Sequence, residues 1–191
     1  MNPSPLLSTL EAYLSLYPDE ANTVNRVRDL IQAYPNAFER SCQIGHITGS
    51  AWIVSADRQR CLLTHHRKLN RWLQLGGHVD GEQQVDRAAL REAQEESGLT
   101  DFTFVEIANQ VIPFDIDIHP IPATLREPAH EHFDLRYLLI ANDKKPLKIS
   151  QESKDLRWFR WEEINNVADE VSIHRMIGKA KHYLGDDDVQ A

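Results

Sequence analysis

Residues 77–99 read GHVDGEQQVDRAALREAQEESGL. The end of this stretch puts Glu92, Glu95 and Glu96 at i, i+3 and i+4, positions that share one face of a helix. Three like charges this close repel, and a helix chosen for stability alone would place Lys or Arg among them. A hard divalent cation converts the repulsion into coordination, because Mg²⁺ and Mn²⁺ take carboxylate oxygens and share them with substrate phosphates. A bare acidic triplet is ordinarily a solvated helix face. Here the context reverses that reading. Upstream, Leu75-Gly76-Gly77-His78-Val79-Asp80-Gly81 reads as a glycine-punctuated loop that can bring backbone groups close to a ligand and then open the helix. Val85, Ala89, Leu90 and Ala93 give the helix an apolar side, and Gly98 is placed to stop it.

The segment resembles the Nudix hydrolase signature, in which a Gly is followed at fixed spacings by Glu, Arg-Glu, an aliphatic residue, Glu-Glu, Gly and an aliphatic residue. Gly77, Arg91, Glu92, Glu95, Glu96, Gly98 and Leu99 occupy their places, and Ala93 is acceptable at the first aliphatic position. One place departs: Gln83 stands where the first Glu belongs, with Glu82 displaced by one residue. The resemblance implies an α/β/α sandwich with a mixed β-sheet and hydrolysis of a nucleoside diphosphate linked to another group. It further implies that Glu95 and Glu96, with the Gly77 carbonyl, hold Mg²⁺ or Mn²⁺. Glu92 is then a ligand or the general base, and Arg91 holds the carboxylates by charge-assisted hydrogen bonds. Family members differ in the identity of the base, and Glu127, Glu131 and Glu152 are further candidates here.

With 191 residues and 41% apolar content, the chain fills one ordinary core without staples. No stretch approaches the ~18 apolar residues of a membrane span. The first residues, MNPSPLLSTLEAYLSLYPDE, lack the features of a signal peptide, so a cytoplasmic location is expected. Cys42 and Cys61 are too few and too isolated for a disulfide framework or a zinc pattern and read as buried free thiols. A net charge of −8 and the absence of a long basic cluster exclude long nucleic acids as partners. They leave room for a small phosphorylated substrate.

Along the chain, residues 5–17 and 19–34 show apolar side chains at helical spacing, giving two amphipathic helices in a 1–40 extension. The extension reads as a cap on the core or, alternatively, as a determinant of specificity or a homodimer contact. The Nudix domain is expected over 41–185, followed by an acidic tail at 186–191. Strands are predicted in GHITGSAWIVSA and RCLLTHH, joined by a turn at 56–59, then in Phe102–Ile107, NQVIPFDIDIH, HEHFDLRYLLIA and DLRWFRW. The chain closes with a short helix at 161–164 and a longer one at 171–184 stopped by Gly185.

Two strands carry a second cluster, because side chains alternate faces along a strand. Asp115, Asp117 and His119 fall on one side of FDIDIH. His130, His132, Asp134 and Arg136 fall together in HEHFDLRYLL, with Glu131 opposite. Paired as a hairpin, these faces give a polar patch that would line the same cleft as the carboxylates. It could hold an auxiliary metal or substrate, or bond internally as a polar sheet face. His130 and His132 are its leading candidates. His78 in the glycine loop could touch phosphate, Arg67 could pair with a diphosphate, and Trp72 could stack on a base. His46, His174 and His182 read as structural or exposed.

Two readings from other classes stand beside the hydrolase. An isopentenyl-diphosphate-isomerase-like enzyme needs a protonating Cys that the chain lacks after Cys61. A non-catalytic Nudix-fold ligand-binding module would have no use for Glu92, Glu95 and Glu96.

Overall fold

The computed structural model describes residues 5–125 and 127–185; the expected acidic tail, 186–191, lies outside the described residues. Two helices open the chain, α1 (Pro5–Leu16) and α2 (Ala21–Ala33), separated by a 3₁₀ turn at Pro18–Glu20. Their periodic apolar positions are the ones that are buried: Leu6, Leu10 and Tyr13 on α1, Val24, Val27 and Leu30 on α2. Pro18 explains the turn, since its fixed φ starts a helix but cannot continue one.

The strands are β1 (Gly45–Ser55), β2 (Arg60–His66), β3 (Arg71–Leu73), β4 (Leu75–His78), β5 (Phe102–Phe104), β6 (Asp115–Ile121), β7 (His130–Ala141) and β8 (Ser153–Arg160). Helix α3 (Val85–Ser97) lies between β4 and β5, and α4 (Trp161–Ile164) and α5 (Val171–Leu184) close the fold. All eight strands join one mixed sheet ordered β3-β2-β1-β7-β5, with β4 on β1, β6 on β7 and β8 on β2. β1 and β7 run parallel over their whole length, and every other pairing is antiparallel. The expected hairpin is present, with Asp117 opposite Asp134 and His119 opposite His132.

All of β1 is buried, as expected of a strand with layers on both faces. On one face Ile47, Ala51 and Ile53 join Leu135, Tyr137 and Leu139 against Val85, Ala88, Ala89 and Ala93 of α3. On the other, Trp52, Val54 and Leu138 pack with Ile164, Ile173, Met176 and Ala180 of α4 and α5. The result is an α/β/α sandwich. Leu10, Tyr13, Val24 and Val27 belong to the α3-side cluster, so the two N-terminal helices share its core.

Residues 75–81, expected as loop throughout, begin as strand: Leu75–His78 is β4, with Gly77 opposite Gly49 and His78 opposite Thr48. The reason is hydrogen-bond accounting, because residues 48–51 of β1 lie beyond the reach of β2 and buried backbone groups need partners. The irregular chain starts at Val79 and turns at Asp80 and Gly81, both with positive φ. Arg40 clamps this turn through bonds of 2.7 and 2.9 Å to the Asp80 carboxylate. Among the described residues no helix is long and apolar enough to cross a membrane.

Candidate functional site

Helix α3 presents Glu92, Glu95 and Glu96 toward and beside β4. Gly98, at φ 71°, ends the helix in the left-handed conformation that glycine adopts without penalty. Glu96 is only 8% exposed and accepts the Gly76 amide at 3.0 Å. Burial pushes its carboxyl up to about 7; the Gly76 amide opposes the shift, and the neighbouring charges of Glu92, Glu152 and Glu95 add to it. The Glu92 carboxyl is likewise raised by burial, with Arg91 acting against the shift. Glu95 is exposed.

Arg91 joins helix to strand. One guanidinium nitrogen donates to the Glu92 carboxylate at 2.9 Å and to the His78 carbonyl at 2.8 Å. A Cβ on Gly77 would stand 2.7 Å from a Glu92 oxygen, so a larger residue here would push this carboxylate aside. Glu92, Glu95 and Glu96 carry oxygen donors of the kind that Mg²⁺ and Mn²⁺ take, and among the described residues Arg91 is the cation paired with Glu92 and Glu95.

Gln83 is exposed, and Glu82 accepts the Gln84 amide at 2.9 Å at the start of α3. The displaced glutamate is therefore engaged in satisfying a helix-terminal N–H. The three alternative bases separate in space. Glu152 is close enough to raise the carboxyls of both Glu92 and Glu96. Glu127 lies near His46 and His78. Glu131 is paired with Arg26 at 2.6 Å.

The histidines gather into a second cluster. Ring centroids of His46 lie 5.0, 5.0 and 4.9 Å from those of His78, His130 and His132, and His119 lies 5.5 Å from His132. His46, read from the sequence as structural or exposed, is 3% exposed and sits at the centre. The parallel ladder sets it opposite His132. Its alternation with Ile47 was a readable signal, but the pairing that supplies its neighbours was not. Burial lowers the pKa of His46, takes His78 down to about 4 and His132 to about 3, so these rings are neutral at neutral pH.

The expectation that imidazoles and carboxylates line one cleft is corrected. His46 and His132 alternate with Ile47 and Phe133, which belong to the α3-side core, and Gly77 meets Glu92 from that same side. The pleat therefore sends His46, His132 and His78 to the opposite face. His78 spans the two, its carbonyl held by Arg91 and its ring among the histidines.

Other expected ligands are occupied. Asp134 is 2% exposed and accepts from Thr48, Ser50, Gln74 and Arg136. Asp115 and Asp117 pair with Arg136 and Arg175, and Asp115 also with Lys179, so their charges fasten α5 to the sheet. Such buried carboxylates are held by partners because desolvation without them is costly. Arg67 donates to the Gln151 and Ser153 carbonyls, tying β2 to β8. Trp72 stacks on His65 at 5.0 Å and meets Phe159 edge-on at 4.8 Å, so one ring face is already covered. Both cysteines are buried free thiols.

The family model described as the NUDIX domain matches residues 46–178, well over half of the chain. No curated protein matches. Among solved structures, a NUDIX-family hydrolase from Clostridium perfringens is 24% identical with a TM-score of 0.56, covering 73% of this chain and 96% of its own. An Ap4A hydrolase from C. elegans, solved as a binary complex, is 19% identical with a TM-score of 0.55 and covers 73% and 98%. The NUDIX domain of Shewanella oneidensis NrtR, solved with ADP ribose, is 16% identical with a TM-score of 0.53 and covers 82% and 97%. At these identities the likeness is one of fold.

Proposed function

The chain belongs to the Nudix family, and on that footing we propose that it hydrolyses a diphosphate linkage in a nucleoside diphosphate derivative or a similar small phosphorylated molecule, with Mg²⁺ or Mn²⁺ as cofactor. The observation that carries this reading is the Arg91 bridge. It holds the Glu92 carboxylate against Gly77, where an added Cβ would displace the carboxylate from its present position.

In this reading Glu92, Glu95 and Glu96, with the Gly77 carbonyl, hold the cation. A bound divalent ion supplies charge to polarise the diphosphate and lowers the pKa of a bound water. Arg91 keeps Glu92 oriented by a charge-assisted hydrogen bond, which also opposes the upward pull of burial on this carboxyl. Glu152 is the favoured general base, since it approaches the carboxylates from outside α3 and has no salt bridge of its own among the described residues. Its task is to accept the proton of the attacking water. The neighbours solved with a dinucleotide-cleaving activity or with ADP ribose suggest which compounds to try first.

The test is formation of the cleavage products, phosphomonoesters or pyrophosphate resolved by chromatography, from a panel of ADP-ribose, dinucleoside polyphosphates, nucleoside triphosphates and nucleotide sugars, with each cation and with chelator. Metal-dependent turnover of any member supports the reading. Binding of a panel compound with no turnover of any would favour the ligand-binding module instead. An isomerase role has little support, because Cys61 lies at 0% exposure in the core on the α5 side of the sheet and Cys42 at 3%.

A further inference from the structure

We infer that His46, His130 and His132 form a binding site for a divalent transition metal of the zinc type, separate from the carboxylate face of α3. Each of the three rings offers a nitrogen, and these ligand atoms all lie within 4.8 Å of one another. Nitrogens bound to one tetrahedral ion at about 2.0–2.1 Å stand about 3.4 Å apart, so modest ring rotations close the site.

A second observation points the same way. His46 is 3% exposed, yet neither of its ring nitrogens has a hydrogen-bond partner; the Cys42 carbonyl lies nearby without bonding geometry. Buried polar atoms left without partners are rare and costly, and an ion is a partner that a protein-only inventory omits. His130 is oriented as a ligand would be: its Nδ1 lies 2.9 Å from the Pro128 carbonyl. A proton on Nδ1 satisfies that carbonyl and leaves the Nε2 lone pair for an ion, as outer-shell acceptors do at metal-bound histidines. His119 is held in the same fashion, Nδ1 to the Asp117 carboxylate at 3.1 Å. With His78, it stands ready as a fourth ligand, each ring adjoining that of His132.

The chemistry separates this site from the other one. Imidazole suits Zn²⁺ and its neighbours, whereas carboxylate and carbonyl oxygens suit Mg²⁺ and Mn²⁺. The two centres therefore select different ions, and the inference does not rest on the hydrolase reading. His46 comes from β1, His130 and His132 from β7, so an ion here staples the two parallel strands at one end of their ladder.

The full chain, stripped with chelator and dialysed, is titrated with Zn²⁺ and, as an optical probe, Co²⁺, with bound metal measured by elemental analysis. The expected result is about one tightly bound equivalent per chain, with Co²⁺ absorption bands of nitrogen ligation. Binding should persist in Glu95→Gln/Glu96→Gln and weaken at least about tenfold in His130→Ala/His132→Ala, the smallest loss usual when a metal site is disturbed. If the double variant does not fold, His130→Ala alone, which truncates a half-exposed ring, replaces it. Absence of stoichiometric binding, or binding retained at full strength without the histidines, overturns the assignment.

Discussion

The Glu96 carboxylate accepts the Gly76 amide at 3.0 Å while being 8% exposed, so one hydrogen bond is set against the full cost of burying a charge. In the metal-free protein its carboxyl titrates near 7 rather than at 4.5. Below 4.5 it is protonated folded or unfolded and contributes nothing. Between 4.5 and 7 the unfolded chain ionises first, so the group's contribution to stability falls as pH rises. Metal-free wild type should melt close to Glu96→Gln below pH 4.5 and below it at pH 8, as followed by circular dichroism.

Glu95→Gln and Glu96→Gln should each lower metal-dependent turnover by about two or more orders of magnitude, the scale of a lost electrostatic stabiliser. Their effects on folding should differ, since Glu95 is exposed and Glu96 buried. Comparing kcat with melting temperature for the pair separates a site from a scaffold. Near-normal turnover in both would sink the carboxylate assignment.

Gly77→Ala places a methyl 2.7 Å from a Glu92 oxygen, and Glu92 must move. Activity is expected to drop by at least about tenfold, as small misplacements at a reacting centre do. The melting temperature should change little, because the displaced group is a side chain rather than the sheet.

Gln83→Glu should leave activity intact or raise it, since Gln83 is exposed. Glu82→Ala removes the acceptor of the Gln84 amide and should cost about 1 kcal/mol of stability, the usual worth of a helix-end acceptor. Denaturant titration of both variants checks this.

Glu152→Gln should reduce kcat strongly while Mg²⁺ affinity is kept, the signature of a base that is not a ligand. Unchanged kcat would return the role to Glu92.

Much of this was legible in the sequence because the signals were local. The periodic Leu and Val positions of α1 and α2, the glycine stop at Gly98 and the alternation that puts Asp117 and His119 on one side of β6 each depend on a few adjacent residues. What escaped depends on distant pairing. His46 gains its meaning only when β1 lies beside β7, and nothing near residue 46 announces residue 132. Asp134 looked like a ligand until Thr48, Ser50 and Gln74 came to surround it. Arg67 and Trp72 were read as free groups beside a site, but β8 arrives from far along the chain to occupy the first, and His65 covers the second. The pleat that puts carboxylates and imidazoles on opposite sides of β4 follows from its pairing to β1, a strand more than twenty residues upstream in a segment that reads as loop.

The parallel β1–β7 ladder also governs how the chain must assemble. Its partners, such as Thr48 and Asp134, are separated by 86 residues, and most of the sheet hangs from these two strands. During synthesis β1 emerges long before β7, so that, even with β2 and β4 paired to it, the edge that β7 covers stays open until well over half the chain has been made. Loops this long close slowly, and sheets centred on non-local pairing are accordingly slow to form. Refolding from denaturant is therefore expected to be limited by β1–β7 docking, with α1, α2 and α3 gaining helix earlier. Substitutions at the β1–β7 seam, such as Ile47→Ala, should slow refolding more than equally destabilising ones on α5.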